Sequence, residues 1–503
     1  MFINGENRIL YIKINGEFLP IGCLTGDSFS ETVEMLNTTT GGNAGWETST
    51  PTTQSYNISF EGLVINTTLI TVGDTTKVSY DRLKELKRNR TLIEWKSEDI
   101  DKTFVESGKG YITELSDSSS IDEFISFNAS IVGFGKLDEN SFVTTWKTTT
   151  NNETIVIGLD SSKTYDFRVD WGDYTSQIVT GNSNLSHTYS VPGDYLVKIN
   201  GIFPRIIMSA SGTTPNNIIS LNNWGAIQWE SMNSAFKNCI NLYICNTQDT
   251  PDLSNVTSLI SMFENAGSNT SNLFINNINK WDTKNITQIS SMFKDATSFN
   301  QNINAWDVSN VTSMNNIFNN ATSFAQPLNN WDVSNVLNMY AVFKKASSFN
   351  QDIGAWNVSN VTTMFQMFTS ATSFNKDIGA WDVSNVTNMQ RMFSEASSFN
   401  KDIGAWDVSN VTTMKSMLKT TPFNQDISEW DVRNVSDFNN FMSNSFALNP
   451  TNYSALLIQW ATLPPQSNIT VSFGDAKYNI DAYSARNTLS TTYNWTITDG
   501  GPT

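Results

Sequence analysis

Apolar and polar positions alternate in short runs along the first part of the chain, then settle into a fixed 25-residue period. Arg8-Ile9-Leu10-Tyr11-Ile12-Lys13-Ile14 reads as a strand, followed by Asn15-Gly16 and a second run, Glu17-Phe18-Leu19. Asn-Gly between two such runs signals a hairpin, because both residues tolerate the positive φ of a type I′ turn. A third strand is expected over 29–36, with Phe29, Glu31, Val33 and Met35 facing away from Ser30, Thr32 and Glu34. The polar stretch 37–53 then reads as a loop. Loops of that length in compact domains are usually functional, and Trp46 in its middle implies packing on something, such as another subunit. Strands are expected again over 56–65, 91–95, 110–115 and 121–133, the last with Ile125, Phe127, Ala129 and Ile131 on one face. Ser79 is placed to N-cap a short helix ending near Asn89, with Lys87 and Arg88 complementing its dipole. Residues 1–136 are therefore expected to form a mainly-β domain, sandwich or barrel-like, with one helix and one long loop.

Residues 137–206 read as a second β module, with Asp170-Trp171-Gly172-Asp173, His187-Thr188-Tyr189 and Gly193-Asp194-Tyr195 as its landmarks. His187 is the only histidine, so it cannot anchor a zinc site or a catalytic triad. Its expected role is to pack beside Trp171 and fix a turn; a calcium site at Asp170 and Asp173 is the alternative. After a transition over 207–230, the period takes hold at 231–448. Trp306, Trp331, Trp356, Trp381 and Trp406 recur at 25-residue spacing, and Trp430 arrives one residue early. Such a period means a solenoid, in which each unit buries its apolar face on its neighbours. Val386 to Ala396 reads as a short helix, because Met389, Met392 and Phe393 sit at core spacing, and Phe399 and Ile403 lie on an extended return. The Met, Phe and Trp ladder is core. The recurring Asp-Val-Ser-Asn is a capped turn rather than a calcium or sugar ladder, and sequons such as Asn310-Val311-Thr312 are by-products of the repeat. Residues 449–503, with a helix near Tyr453 to Trp460, are expected to close the stack.

Charge narrows the partners. A formal net charge of −17 over 503 residues argues against a nucleic-acid-gripping surface. The three cysteines Cys23, Cys239 and Cys245 cannot form a disulfide framework. Cys239 and Cys245 could pair, but buried free thiols are expected. No apolar run approaches the roughly 20 residues of a membrane span, and Glu6, Arg8, Lys13 and Glu17 interrupt any signal peptide.

Pro20-Ile21-Gly22-Cys23-Leu24-Thr25, Ser28-Phe29-Ser30-Glu31-Thr32, the Asn43-Ala44-Gly45-Trp46 loop, Tyr80-Asp81-Arg82-Leu83-Lys84 and Phe127-Asn128-Ala129-Ser130 together resemble the major tail (tail-tube) proteins of long-tailed bacteriophages. The resemblance covers about the first 136 residues. It implies homohexameric rings stacked into a tube that conducts DNA without binding it specifically, with the Asn43–Trp46 loop touching the next ring. It also implies tail terminator, tape-measure and baseplate or tip proteins as partners, and a virion location after assembly in the host cytoplasm. Residues 137–206 resemble a PKD-type immunoglobulin-like domain, although Tyr174 replaces its usual second glycine. The repeat resembles the leucine-rich repeats of BspA-like and mycoplasma lipoprotein-type surface proteins, mostly cell-surface proteins with a suspected role in adhesion.

No metal-ligand cluster, nucleophile elbow, P-loop or dinucleotide fingerprint is present, and no cofactor or enzymatic activity is expected. The fold class is thus multidomain: a mainly-β tail-tube domain, an Ig-like sandwich, and an α/β leucine-rich-repeat-like solenoid with a C-terminal cap. The expected function is that of a tail-tube subunit of a non-contractile phage whose solenoid weakly binds host-surface or environmental glycans. Positions that vary between units carry any specificity, since stacking dictates the core. Asn315, Tyr340, Phe365, Gln390 and Lys415, at one equivalent position, are the candidate contacts. The rival expectation is a bacterial surface adhesin.

Overall fold

The computed structural model describes residues 8–14, 17–21, 24–37, 49–63, 77–99, 105–118, 125–133, 138–139, 141–173, 175–245, 247, 249–445 and 448–503. The chain divides into two compact units, residues 1–141 (with Phe167–Val169 and Ile199–Gly201) and the remainder.

In the first unit, β1 (Arg8–Ile14), β2 (Glu17–Pro20), β3 (Leu24–Asn37), β4 (Ser49–Leu63), β5 (Ile93–Asp99), β6 (Val105–Ser118), β7 (Ser126–Gly133) and β8 (Asp138–Glu139) build one sheet. Its order is β2-β1-β5-β6-β7-β4-β3, with β8 on β6, and every one of these pairs is antiparallel. Alternation puts Leu10, Ile12, Ile58, Phe60, Ile93, Trp95, Phe127, Ala129 and Ile131 into one core. Helix α1 (Tyr80–Arg88) buries Leu83 and Leu86 in that core, and its N-cap Ser79 accepts a bond from the Arg82 N–H at 3.3 Å. Two expectations need correction. The polar stretch 37–53 is not all loop, because β4 starts at Ser49 and pairs back to Asn37. Ile125 lies ahead of β7 and is 40% exposed, so the buried face begins at Phe127. The Asn15-Gly16 turn lies outside the described residues.

After this sheet come β9 (Phe142–Thr148), β10 (Glu153–Ile157), β11 (Asp166–Asp170), β12 (Ser176–Val179), β13 (Leu185–Tyr189), β14 (Gly193–Ile202) and β15 (Ile218–Asn223), followed by two short rungs, β16 (Ile244–Cys245) and β17 (Phe274–Ile275). β10 pairs with β13, and the others form a sheet of order β12-β11-β14-β9-β15-β16-β17. β15 is the hinge of this arrangement. It runs antiparallel to β9 but parallel to β16, which pairs in parallel with β17. The sheet therefore continues directly into the first repeats, and the segment expected as a transition contains the strand that joins them.

From there each repeat is one coil of a stack. Parallel bridges run Ser258–Gln288–Ser313–Asn338–Thr363–Asn388–Thr413–Asp437. Inside, Phe293, Phe318, Phe343, Phe368 and Phe393 stack 5.5–6.0 Å apart, and Phe299, Phe324, Phe349, Phe374 and Phe399 form a second column. Full burial of such a side chain stabilises by roughly 1.5–3 kcal/mol, available only when a neighbouring coil covers it. The edges are tied by asparagine. Asn385 Nδ2 donates to the Ser359 carbonyl at 2.7 Å and Asn410 Nδ2 to Ser384 at 2.8 Å. Asn375 Oδ1 accepts from the Asn400 N–H at 3.1 Å.

The expected helix over 386–396 is not there, and among the described residues no α-helix lies between Asn89 and Asn449. Alternate N–H groups leave the coil: those of Met389, Arg391, Phe393 and Glu395 donate to Thr413, Lys415, Met417 and Lys419 in the next one. The groups between them close turns, Met392 to Met389 and Ser394 to Arg391. Arg391 and Glu395 have φ of 56° and 64°, which a right-handed helix excludes. The solenoid's α component is thus replaced by a ladder of tandem turns.

At the far end, α2 (Pro450–Thr462) places Trp460 on Phe438 and Phe441 of the last coil, as expected for a closing segment. Two short parallel strands, β18 (Thr470–Ser472) and β19 (Thr496–Thr498), and helix α3 (Tyr483–Thr491) complete it. Asp499 is held by Arg486 Nε and Tyr453 Oη, each at 2.8 Å.

Candidate functional site

The turn ladder holds the positions at which residue chemistry varies most from coil to coil. Asn315, Tyr340, Phe365, Gln390 and Lys415 all fall on it, one per coil, and all are half-buried. Their carbonyls all accept from the preceding coil, that of Asn315 from the Ser291 N–H. The carbonyls of Tyr340, Phe365, Gln390 and Lys415 accept from Asn316, Ala341, Gln366 and Arg391 of the preceding coil. The Tyr340 and Gln390 N–H groups donate to Asn338 Oδ1 and Asn388 Oδ1, both at 2.9 Å. Only the side chains differ from coil to coil along this column. Asn315 Oδ1 accepts from Ser290 Oγ at 2.6 Å and from Ser313 Oγ. Tyr340 and Phe365 stack on each other, 5.2 Å between centroids and 17° between planes, so each is partly covered by its partner rather than fully open to water.

Four cations flank this column and escaped the sequence reading: Lys344, Lys345, Arg391 and Lys419. Lys345, Arg391 and Lys419 are linked to adjacent coils by backbone bonds, Lys345 N–H to Thr369, Arg391 N–H to Lys415 and Glu395 N–H to Lys419. The Lys344 ammonium donates to Gln366 Oε1 at 3.0 Å. Burial, together with the nearby charges of Lys345 and Arg391, lowers its pKa. The signal that could have found Lys344, Lys345 and Lys419 was the second variable pair of the repeat, which reads Asn319-Asn320, Lys344-Lys345, Thr369-Ser370, Ser394-Glu395 and Lys419-Thr420, and Arg391 follows Gln390 in the first.

The remaining candidates resolve into turns. The Asp307, Asp332, Asp382 and Asp407 carboxylates accept from the N–H two residues on. These are Asx turns, and the bonds from Ser334 and Ser384 hold Asp332 and Asp382 below the usual carboxylate range. His187 stacks on Trp171 at 4.6 Å, and its Nε2 lies 2.7 Å from Asp173 Oδ2. Asp170 Oδ1 and Asp173 Oδ1 accept from the Gly172 and Thr175 N–H groups, so both carboxylates serve the turn. Gly172 is required there: its φ is +77°, and a Cβ would lie 2.7 Å from the Leu196 carbonyl oxygen. Cys239 and Cys245 are free and buried, and burial pushes the Cys245 thiol up to about 12. Asn43, Ala44, Gly45 and Trp46 lie outside the described residues. Among the described residues no group of three or more His, Cys, Asp or Glu could hold a metal ion, and no helix is long and apolar enough to cross a membrane.

Residues 230–356 and 339–455 match the sequence family described as a Mycoplasma protein of unknown function, DUF285. No curated protein matches the chain. Among solved structures, a chain from the virion of a native gene transfer agent particle is 21% identical over 27% of this chain and 96% of its own, with a TM-score of 0.22. A chain from the tail of an empty gene transfer agent particle, obtained by helical refinement with C6 symmetry, is 19% identical over the same shares, 27% and 96%, with a TM-score of 0.22. The Dit protein of SPP1, described as a paradigm of the hub adsorption apparatus in phages infecting Gram-positive hosts, is 14% identical over 40% of this chain and 81% of its own, with a TM-score of 0.17. Scores this low leave function to be argued from the chain itself.

Proposed function

We propose that the chain is a structural, non-enzymatic subunit of a long-tailed, phage-like virion. Residues 1–136 form the tube, 137–206 an Ig-like spacer, 207–230 a transition, 231–448 an external leucine-rich-repeat-like stack and 449–503 its cap. The observation that carries this reading is the sheet of the first unit. Its end strands β2 and β3 each pair on one side only among the described residues, and β3 is 14 residues long. An open edge of that length invites pairing with another chain, and a closed ring of copies uses up every edge.

Hexameric rings stacked into a DNA conduit are what the sequence resemblance of residues 1–136 implies. The net charge of −17 suits a wall that must repel phosphate. Terminator, tape-measure and baseplate proteins are the partners such a tube requires. An external decoration leaves no room for a contractile sheath, so the tail is non-contractile. Repeated along the tube, the column Asn315, Tyr340, Phe365, Gln390 and Lys415 contributes weak glycan contacts that multivalency makes effective. Sedimentation velocity of the full chain across a concentration series tests the ring-forming part. Growth into species of many subunits is expected, and a monomer at every concentration contradicts it.

A second reading, a bacterial surface adhesin, is supported by the resemblance of the repeat to BspA-like and mycoplasma lipoprotein-type surface proteins; the family matched over 230–455 is described as a Mycoplasma protein of unknown function. In that case the first unit is only an anchor and the chain does not assemble into rings.

A further inference from the structure

The varying side chains of the turn ladder are not an even sample of polar residues. Between coils 331–355 and 406–429 they include Lys344, Lys345, Arg391, Lys415 and Lys419, against one carboxylate, Glu395. No described carboxylate lies within ion-pair distance of these five cations, although the whole chain carries a net charge of −17. The acidic groups of the same coils are turned onto backbone elsewhere: Asp352, Asp377 and Asp402 accept from the Gly354, Gly379 and Gly404 N–H groups.

Register brings Arg391 beside Lys415 and sets Glu395 beside Lys419. Arg391 N–H donates to the Lys415 carbonyl at 2.8 Å, and Glu395 N–H to the Lys419 carbonyl at 2.8 Å. Arg391 and Lys415 are like charges on adjoining coils with no described carboxylate in ion-pair distance, and an anion offsets their repulsion. Beside them, the stacked Tyr340–Phe365 pair supplies an apolar step. The net negative charge of the chain disfavours nucleic acid generally.

We propose that the turn ladder over 331–429 binds a linear anionic glycopolymer. Phosphate or carboxylate groups along the polymer engage Lys345, Arg391, Lys415 and Lys419, and Tyr340 with Phe365 packs against its sugar or polyol units. This rests on the reading of the repeat stack as a binding surface and names the ligand class for it.

The repeat itself supplies a fold-neutral test. Asn320, Asn316, Asn315 and Asn319 occupy, in coil 306–330, the places of Lys345, Arg391, Lys415 and Lys419. Asn316 and Asn320 adopt φ of 59° and 60°, against 56° and 58° for Arg391 and Lys345. The variant K345N/R391N/K415N/K419N therefore keeps every backbone requirement of the ladder. Full-length chain is titrated by fluorescence anisotropy with poly(glycerol phosphate), polygalacturonate, a neutral glucan and single-stranded DNA, at low and high salt.

The expected result is salt-sensitive binding of poly(glycerol phosphate), polygalacturonate or both, weakened about tenfold or more in the Asn variant, with an unchanged melting curve. Binding to phosphate polymer alone, or to carboxylate polymer alone, identifies which anion is read. Equal binding by the variant, preference for the neutral glucan, or DNA bound as tightly as the polymers overturns the proposal. The broader reading is separated by Y340S/F365S. If that variant loses binding on a glycan array while the Asn variant does not, the anionic assignment falls and the binding surface stands. If neither variant changes binding, both fall.

Discussion

Trp381 Nε1 donates to the Ile353 carbonyl oxygen of the preceding coil at 3.1 Å, and Trp306, Trp331, Trp356, Trp406 and Trp430 do the same one coil apart. The tryptophan that makes the period visible is therefore a clamp between neighbours as well as core. The Ile353 carbonyl also accepts from the Trp356 N–H at 3.1 Å, so Trp381→Phe removes one bond without orphaning the acceptor. Beyond the cavity that the smaller ring leaves, chemical denaturation is expected to show a further loss of about 0.5–1.5 kcal/mol from the missing bond. Trp281 Nε1 is buried without a partner, so Trp281→Phe costs less. Equal losses at the two positions contradict the clamp.

Close approach between coils sets a second position. A Cβ at Gly379 would lie 2.8 Å from the Asp402 carbonyl oxygen of the next coil. Gly379→Ala pushes the coils apart and is expected to destabilise by about 1–3 kcal/mol, read as a lower denaturation midpoint. An unchanged midpoint means that the stack is looser than described.

The turn ladder predicts a stabilising change. Thr420 has φ of 56° and is exposed, and a β-branched residue is strained in that conformation. Thr420→Asn is expected to raise stability by about 0.5–1 kcal/mol, measured as a higher melting temperature. A lower melting temperature contradicts the left-handed geometry.

Much of this architecture was legible in the sequence, and the misses have physical causes. The period, the stacked Phe and Trp columns, the Asx turns and helix α1 all follow from residue type and spacing. The turn ladder does not, because tandem turns bring Met389, Met392 and Phe393 to one side just as a helix does. Its positive-φ positions carry Asn316, Ala341, Gln366, Arg391 and Ser416, with no glycine to mark them. Strands β3 and β4 extend into a stretch whose polar composition reads as loop, since cross-strand pairing overrides local preference there. The cationic side of the candidate site stayed hidden behind the overall negative charge, because only the stack brings residues 75 positions apart, such as Lys344 and Lys419, onto one face.

Acid sensitivity is expected to have a defined contributor. Glu153 accepts from the Thr149 N–H at 2.6 Å, the Thr150 N–H at 3.0 Å and Asn217 Nδ2 at 2.7 Å. The Thr149 bond, against a smaller burial penalty, lowers its pKa from 4.5 to about 2. A depressed carboxyl pKa stabilises the fold above the unfolded value and loses that contribution as pH falls through the folded one. Wild-type stability is therefore expected to fall between about pH 4.5 and pH 2, more steeply than in Glu153→Gln. Parallel pH profiles of the two proteins contradict this role.

The central claim is assembly through the first unit, and negative-stain electron microscopy of the purified, concentrated chain tests it most directly. Rings or tubes bearing projecting arms are the predicted result. Separate, elongated monomers in every field contradict it.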